Sequence, residues 1–425
     1  MRCIKVTLNL WTQNRDMPPK IIELKASMSD ADFKAKYEGT HFDESAAKLI
    51  LREDADVYGI EPDGTRRLLG KLRKAVIPKE TVQIGWDSFR TLAMPGRNRG
   101  AAAGPIDLNS PYWKKRKPII SKDSKTSKWA TRYIEKGKVS KMRVNNLVAS
   151  GVIGFYEETP FMKAACRMTV YTRRYLHLFL NGLPFLKAID SQFKALVPKE
   201  HARQLEAVKA KKNYQIPGTA FSTLTVNLNF RTALHKDDGD FKDGFGNLSV
   251  IEWGKYHGGY TLFPRFGVGF DLRTGDFIAM DVHEWHCNTP MYETPEDKIY
   301  NMTLPDIRSR DPTTGLIGSE ARYQRLTFVC YFRDRLQQCD EGETAEYYAR
   351  SGFDEAAEIE KAKSKVTKTL LLPLYNDIDE VEKSAATFAK TYRQRIPGGG
   401  TRRLQNFISD SGSQTKKRKR NHNQG

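Results

Sequence analysis

Between Ser222 and Phe332 the chain is cut into short apolar runs, and that punctuation leaves few folds open. Ser222–Phe230 (STLTVNLNF) is rich in Thr, Val and Leu, side chains that fit a pleated surface. Asn247–Trp253, Gly259–Pro264, Gly267–Leu272, Phe277–Val282 (FIAMDV) and Arg325–Phe332 (RLTFVCYF) follow, several of them bounded by Gly or Pro. Many short strands at such spacing predict a barrel or a sandwich.

Two of the breaks carry chemistry. The first strand runs out into Arg231-Thr-Ala-Leu-His235-Lys-Asp237-Asp-Gly-Asp240, a polar, Gly-containing turn. FIAMDV ends at His283-Glu-Trp-His286, and His286 lies 51 residues beyond His235. Two imidazoles and one carboxylate on one face of a metal leave three positions open, the ligand pattern of non-haem Fe(II) oxygenases. A bare His-x-Asp is common and also suits a surface turn with an ion pair. Its place at a strand end gives it weight, because returning antiparallel strands can bring a distant histidine beside it. His283 and His286 differ by an odd number, so on one extended strand they point to opposite faces. Only one of them meets the metal, and the residues alone leave open which.

Charge narrows the partner. The chain has 70 Lys+Arg against 51 Asp+Glu, a formal net charge of +19, which favours a polyanion and salt-dependent binding. Lys114–Arg143 holds 12 basic and 2 acidic residues, with Trp129 and Tyr133 interleaved and Trp113 just before. Basic residues among aromatics suit phosphates and unstacked bases; the plainer reading is a solvated basic loop. No run of 18 apolar residues offers a membrane span. Met1–Trp11 alternates like a strand and lacks the apolar core and cleavage site of a signal peptide. Five scattered cysteines suggest a reducing compartment rather than a disulfide framework.

Residues 218–333 resemble the oxygenase domain of the TET/JBP family, which oxidises 5-methylpyrimidines in nucleic acid; the form is closest to compact phage and microbial members. The matching stretches are RTALHKDDGD (231–240), GFGNLSV (244–250), GGYTLFP (258–264), DLRTGDFIAMDVHEWHCNTP (271–290) and RLTFVCY (325–331). NRGAAAG (98–104) and CRMTVYTRR (166–174) extend the likeness upstream. In the family the distal ligand is the His before a short x-x-x-Pro segment, which maps onto His286 before Cys-Asn-Thr-Pro290. The resemblance thus implies His235, Asp237 and His286 as ligands of Fe(II). His283 is left to orient a ligand or to wall the substrate space, since ligating groups need such partners. It implies 2-oxoglutarate as cosubstrate and Arg325 as the clamp on its carboxylate, since a planar guanidinium suits a carboxylate bidentately. Family members usually reach that Arg soon after the distal His; here a polar stretch, 292–321, reads as an inserted loop and leaves Arg322 as the alternative clamp. Asn229 and Arg231, just before the metal turn, stand where they could touch the cosubstrate or simply close a strand end. Trp285 and Phe263 read as core.

The resemblance also sets the expected fold: an α+β chain with a double-stranded β-helix core of jelly-roll or cupin type, supporting helices, and an extension at each end. Residues 1–90 read as a mixed α/β extension with one helical stretch near Ser29–Tyr37, and 91–335 as the dioxygenase domain including the basic strip 113–143. Lys187–Lys212 reads as two supporting helices divided by Pro198, whose ring clashes with a preceding turn. Residues 336–396 read as a helical extension broken near Leu372-Pro373, and 397–425 as a disordered basic tail ending in Lys416–Arg420. The pentapeptide suits nuclear import in a eukaryote, or a DNA-holding arm in the cytoplasm of a bacterium or phage-infected cell. The expected activity is hydroxylation of the 5-methyl group of 5-methylcytosine in DNA. Alternatives are thymine in DNA, a hydroxylase of RNA or protein, and a non-catalytic DNA-binding β-helix.

Overall fold

The computed structural model describes residues 18–119, 129–159, 164–311 and 315–365. Every run read as a strand between 222 and 332 forms one: Thr223–Leu228, Gly246–Trp253, Thr261–Phe263, Val268–Phe270, Phe277–Met280 and Gln324–Tyr331. They divide between two sheets. The larger has ten strands, and its centre runs, antiparallel throughout, Arg66–Arg73, Phe277–Met280, Gly246–Trp253, Gln324–Tyr331, Thr223–Leu228, Val148–Tyr156. The smaller runs Cys287–Asn288, Thr261–Phe263, Val268–Phe270, Leu49–Leu51.

Alternation along the central strands explains why they read as apolar throughout. Leu248, Val250, Ile278 and Met280 point between the sheets, against Leu51, Phe263, Val268 and Phe270. Ile251, Trp253, Phe277, Ala279, Leu326 and Phe328 point the other way, against Trp86, Phe89, Phe185, Ile189 and Phe193 of the helical layer. A strand buried on both faces has no polar side to show. Two facing sheets backed by helices form an α+β fold with a double-stranded β-helix core.

The helical layer divides where expected. Leu183–Leu196 and Pro198–Lys209 meet at Val197, and Pro198 sits at the first helical position, where its missing N–H costs nothing. Three other expectations need correction. Lys79–Phe89 is a helix, with Val82, Trp86 and Phe89 buried at helical spacing; it was missed as a second helix of the first 90 residues. The inserted loop contains a helix, Pro295–Thr303, started by a capping box between Thr294 and Asp297. Cys166 and Cys339 form a disulfide, α-carbons 5.9 Å apart, against the expectation of unpaired thiols, while Cys287 and Cys330 are free and buried. The bond fastens the segment after the last core strand to Arg167–Met168.

Residues 18–90 are woven into the core. Lys20–Lys25, Ala55–Ile60 and Arg66–Arg73 extend the large sheet, and Leu49–Leu51 pairs with Val268–Phe270 in the small one. The helix Asp30–Tyr37, capped by Ser29, lays Phe33 against Leu262 and Trp285 on the outer face of the small sheet. Beyond the core, Glu341–Arg350 and Glu355–Lys363 are helical. The expected break near Leu372-Pro373, the tail 397–425 and the strand reading of Met1–Trp11 lie outside the described residues. Among the described residues no helix is long and apolar enough to cross a membrane.

Candidate active site

The two histidines meet because the backbone forces them to. His235 and His286 face each other in an antiparallel bridge, each amide donating to the other's carbonyl at 3.0 Å. Their ring centroids are 4.4 Å apart. Asp237 joins them when its amide donates to the Val282 carbonyl at 3.0 Å. Val282 follows the last residue pair of a large-sheet strand and His286 precedes a small-sheet strand, so the site stands where the chain crosses between sheets. One donor atom from each of His235, Asp237 and His286 lies within 4.8 Å of the others.

The imidazole tautomers follow from their partners. His235 Nδ1 lies 2.8 Å from the Ala233 carbonyl, and His286 Nδ1 lies 2.9 Å from the Glu284 carbonyl. A carbonyl only accepts, so each Nδ1 carries a proton and each Nε2 is turned toward Asp237. Both Nε2 atoms are 3.6 Å from the Asp237 carboxylate. Burial, then the neighbouring His286, pushes His235 down to about 4. Burial alone would raise the Asp237 carboxyl, but the His286 hydrogen bond and the charges of His235, His286 and Arg99 hold it well below the usual range. Burial would lower His286, but the hydrogen bond and charge of Asp237 raise it, so this ring holds a proton toward Asp237 that a metal at Nε2 would displace.

Arg325 is the residue expected to clamp the cosubstrate. It is 2% exposed, on Gln324–Tyr331, and its Nε and Nη2 have no hydrogen-bond partner. Leaving charged donors buried and unpaired is costly, so a cationic fork of this kind marks a place for an anion. Gly259 (φ +71°) leaves the room: a Cβ there would lie 3.1 Å from Arg325 Cδ. Arg322 is committed elsewhere, donating to the carbonyls of Asn301 and Leu304 at 3.1 and 2.7 Å. The donor set fits Fe(II), and Arg325 fits a dicarboxylate cosubstrate.

Asn229 bonds to the strand that carries Arg325, and Arg231 to the N-terminal region, with its Nε left unpartnered. The Asn229 side-chain oxygen accepts from the Arg325 amide at 2.7 Å, and its nitrogen donates to Ser319 and to the Tyr323 carbonyl. Asn229 also takes a left-handed φ of +46°, a turn conformation Asn tolerates better than most residues. It braces the strand carrying Arg325. Arg231 donates to the Phe42 carbonyl at 2.8 Å and so ties the metal turn to the N-terminal region. His283 lies outside the ligand triangle, its Nε2 3.2 Å from the Phe241 carbonyl. Phe263 and Trp285 are buried, as expected of core.

Sequence reading missed several neighbours. Asp240 is 7% exposed, and its Oδ2 has no partner. Burial and the Asp237 charge push its carboxyl well up, against Arg333. Only its place in HKDDGD hinted at it. Asp30 reaches from another part of the chain: its Oδ1 accepts from Lys236 Nζ at 2.7 Å and Trp285 Nε1 at 2.9 Å, next door to all three ligands. Arg265, 1% exposed, bonds both Glu284 and Glu61. No local pattern announces contacts over more than 200 residues.

The family model of the TET/JBP oxygenase domain, within the 2OGFeDO superfamily, matches residues 151–334. Among curated relatives, the bifunctional helicase and thymine dioxygenase JBP2 of Leishmania infantum is 35% identical over 188 residues, 44% of this chain and 15% of that protein. Thymine dioxygenase JBP1-A of Trypanosoma cruzi (strain CL Brener) is 34% identical over 190 residues, 44% of this chain and 20% of that protein. The match therefore spans a fifth or less of these relatives' length. Among solved structures, NgTET1 in complex with 5mC DNA aligns with a TM-score of 0.38 at 12% identity, covering 68% of this chain and 80% of that one. Residues 151–334 therefore form an oxygenase domain of TET/JBP type.

Proposed function

We propose that this protein is an Fe(II)- and 2-oxoglutarate-dependent dioxygenase that hydroxylates the 5-methyl group of 5-methylcytosine in DNA. The observation that carries the reading is the pairing of a His235–Asp237–His286 donor set with a buried, unpartnered Arg325 fork. His235, Asp237 and His286 would hold the metal, and Arg325 the distal carboxylate of 2-oxoglutarate. Bound Fe(II), with 2-oxoglutarate and O2, supplies the oxidising power that turns C–CH3 into C–CH2OH as the cosubstrate leaves as succinate and CO2.

The chain's own residues do the rest. The Nδ1–H bonds to Ala233 and Glu284 fix both rings with Nε2 facing Asp237. The Asn229 brace sets the height of Arg325 in its strand. His286 and Arg325 are buried, while the Asp237 side chain is 32% exposed, so the site opens to solvent on the Asp237 side. A methyl group inside a duplex cannot reach such a pocket, so the base must be extruded. Asp240 lies buried beside Asp237 with an Oδ2 that has no partner.

Thymine in DNA is the second reading, favoured by the relatives' names as thymine dioxygenases. Mass spectrometry of nucleosides decides between them. The full chain is incubated with Fe(II), 2-oxoglutarate and duplexes carrying 5-methylcytosine, or thymine with no methylcytosine. Hydroxymethylcytosine is the expected product; hydroxymethyluracil alone would establish the second reading. Succinate with neither base changed would refute both.

A further inference from the structure

The basic strip folds as a small sheet of its own: Lys117–Ile119, Arg132–Glu135 and Lys138–Val139, antiparallel. Its register sorts the side chains. Lys117 pairs with Ile134, Ile134 with Val139, and Ile119 with Arg132, so these five share one face. Pro118, Tyr133 and Glu135 share the other. That second face is partnered: Tyr133 packs against Tyr112 and Trp113, Arg97 and Arg116 stack on Tyr112 at 3.5 and 4.0 Å, and Glu135 pairs with Arg116 at 2.8 Å. The aromatics therefore anchor the sheet. Trp113 is 2% exposed, so the expectation that it meets bases is replaced by a packing role.

The first face has nothing on it among the described residues. Ile119, Ile134 and Val139 are 41, 37 and 54% exposed, and Met142 beside them 62%. No described carboxylate pairs with the exposed cations Lys114, Lys115, Lys117, Arg132, Lys136, Lys138 or Lys141. Aliphatic side chains set among unpaired cations suit a polyanion with apolar sides, which is the makeup of a nucleic-acid strand: phosphates outside, sugars and bases within reach.

The sheet's root lies at the metal turn. Asn145 and Arg97 exchange bonds at 3.1 Å, the Asn146 amide donates to the Ala103 carbonyl at 2.9 Å, and the Ala102 carbonyl accepts from the amide of Ala233, two residues before His235. We propose that the Lys117–Ile119–Arg132–Ile134–Val139 face is a docking surface for the DNA flanking the target base, with Lys117 and Arg132 on phosphates and the aliphatics on sugars and bases. This surface precedes residues 151–334 and is a feature of this chain outside the matched domain. The inference rests on the reading of DNA as substrate.

The test measures binding of a methylated duplex by the full chain across a salt series. Lys117→Ala with Arg132→Ala should lower the slope of log affinity against log salt by about 1.8, and affinity at 0.15 M salt about thirtyfold. Ile134→Ser with Val139→Ser should cost about tenfold with the slope unchanged. All four side chains are exposed, and 2-oxoglutarate turnover without DNA serves as the folding control. Unchanged affinity and slope in both pairs would overturn the docking surface, even with the wild type oxidising methylated DNA. Loss of binding to phosphatidylserine vesicles but not to DNA would overturn it too. A wild type that binds DNA through this face but oxidises none leaves the surface standing and removes the proposed reaction.

Discussion

At the scale of single residues, the site depends on who already has a partner. Arg322 spends its guanidinium on two carbonyls, while Arg325, three positions on, keeps two nitrogens free in a buried slot. Arg325→Ala should raise the KM for 2-oxoglutarate about 10- to 150-fold, the range of a charged hydrogen-bonded pair worth about 1.5–3 kcal/mol, with a smaller change in kcat. Arg325→Lys should rescue only part of this, since an ammonium cannot make the fork. A titration of initial rate against 2-oxoglutarate reads both; an unchanged KM would move the clamp elsewhere. His235→Ala or Asp237→Ala should abolish turnover while salt-sensitive DNA binding persists. Retained turnover in either variant would remove that residue from the ligand set.

Among the elements, Lys79–Phe89 shows a helix carrying a titratable burden. Burial pushes the Asp87 carboxyl up to about 7, against the hydrogen bond from Gln83 and the charge of Arg90. A carboxyl raised in the folded state stabilises fully below its unfolded value of 3.8, and that contribution is lost as pH rises through about 7. Wild-type Tm should therefore fall between pH 5 and pH 8. Asp87→Asn, which has no charge to bury, should show a smaller fall and gain most over the wild type at pH 8. Parallel thermal melts across that range measure it; equal slopes for the two proteins would contradict the buried-acid account. The same helix marks a limit of sequence reading. Val82, Trp86 and Phe89 sit at helical spacing, yet the stretch is short and preceded by strand-like residues, so nothing nearby separates it from another strand.

For the whole molecule, residues 18–90 lend structure to the site. Arg265 joins Glu61, in the turn between two early strands, to Glu284, whose carbonyl orients His286. Glu284 is wholly buried. Arg265→Met removes one cation from a buried network and should cost about 3 kcal/mol, near the low end for a broken buried pair because Arg67 still contacts both acids. Denaturant unfolding of the two proteins reads the difference, and a loss under 1 kcal/mol would show the network to be slack.

The amino-acid order alone determined the strands, their near-continuous apolar character, the Pro198 division and the His235-Lys-Asp237 turn, because these are local facts of period, punctuation and side-chain chemistry; it left His283 and His286 unseparated. Only tertiary structure committed Arg322 to two carbonyls while leaving two Arg325 nitrogens unpartnered, turned Asn229 into a brace, buried Trp113, joined Cys166 to Cys339 and brought Asp30 beside Lys236 and Trp285. Each of those outcomes turns on which partner another segment supplies across the fold. Hydrogen-bond satisfaction and burial are properties of the assembled core, and no stretch of chain carries them by itself.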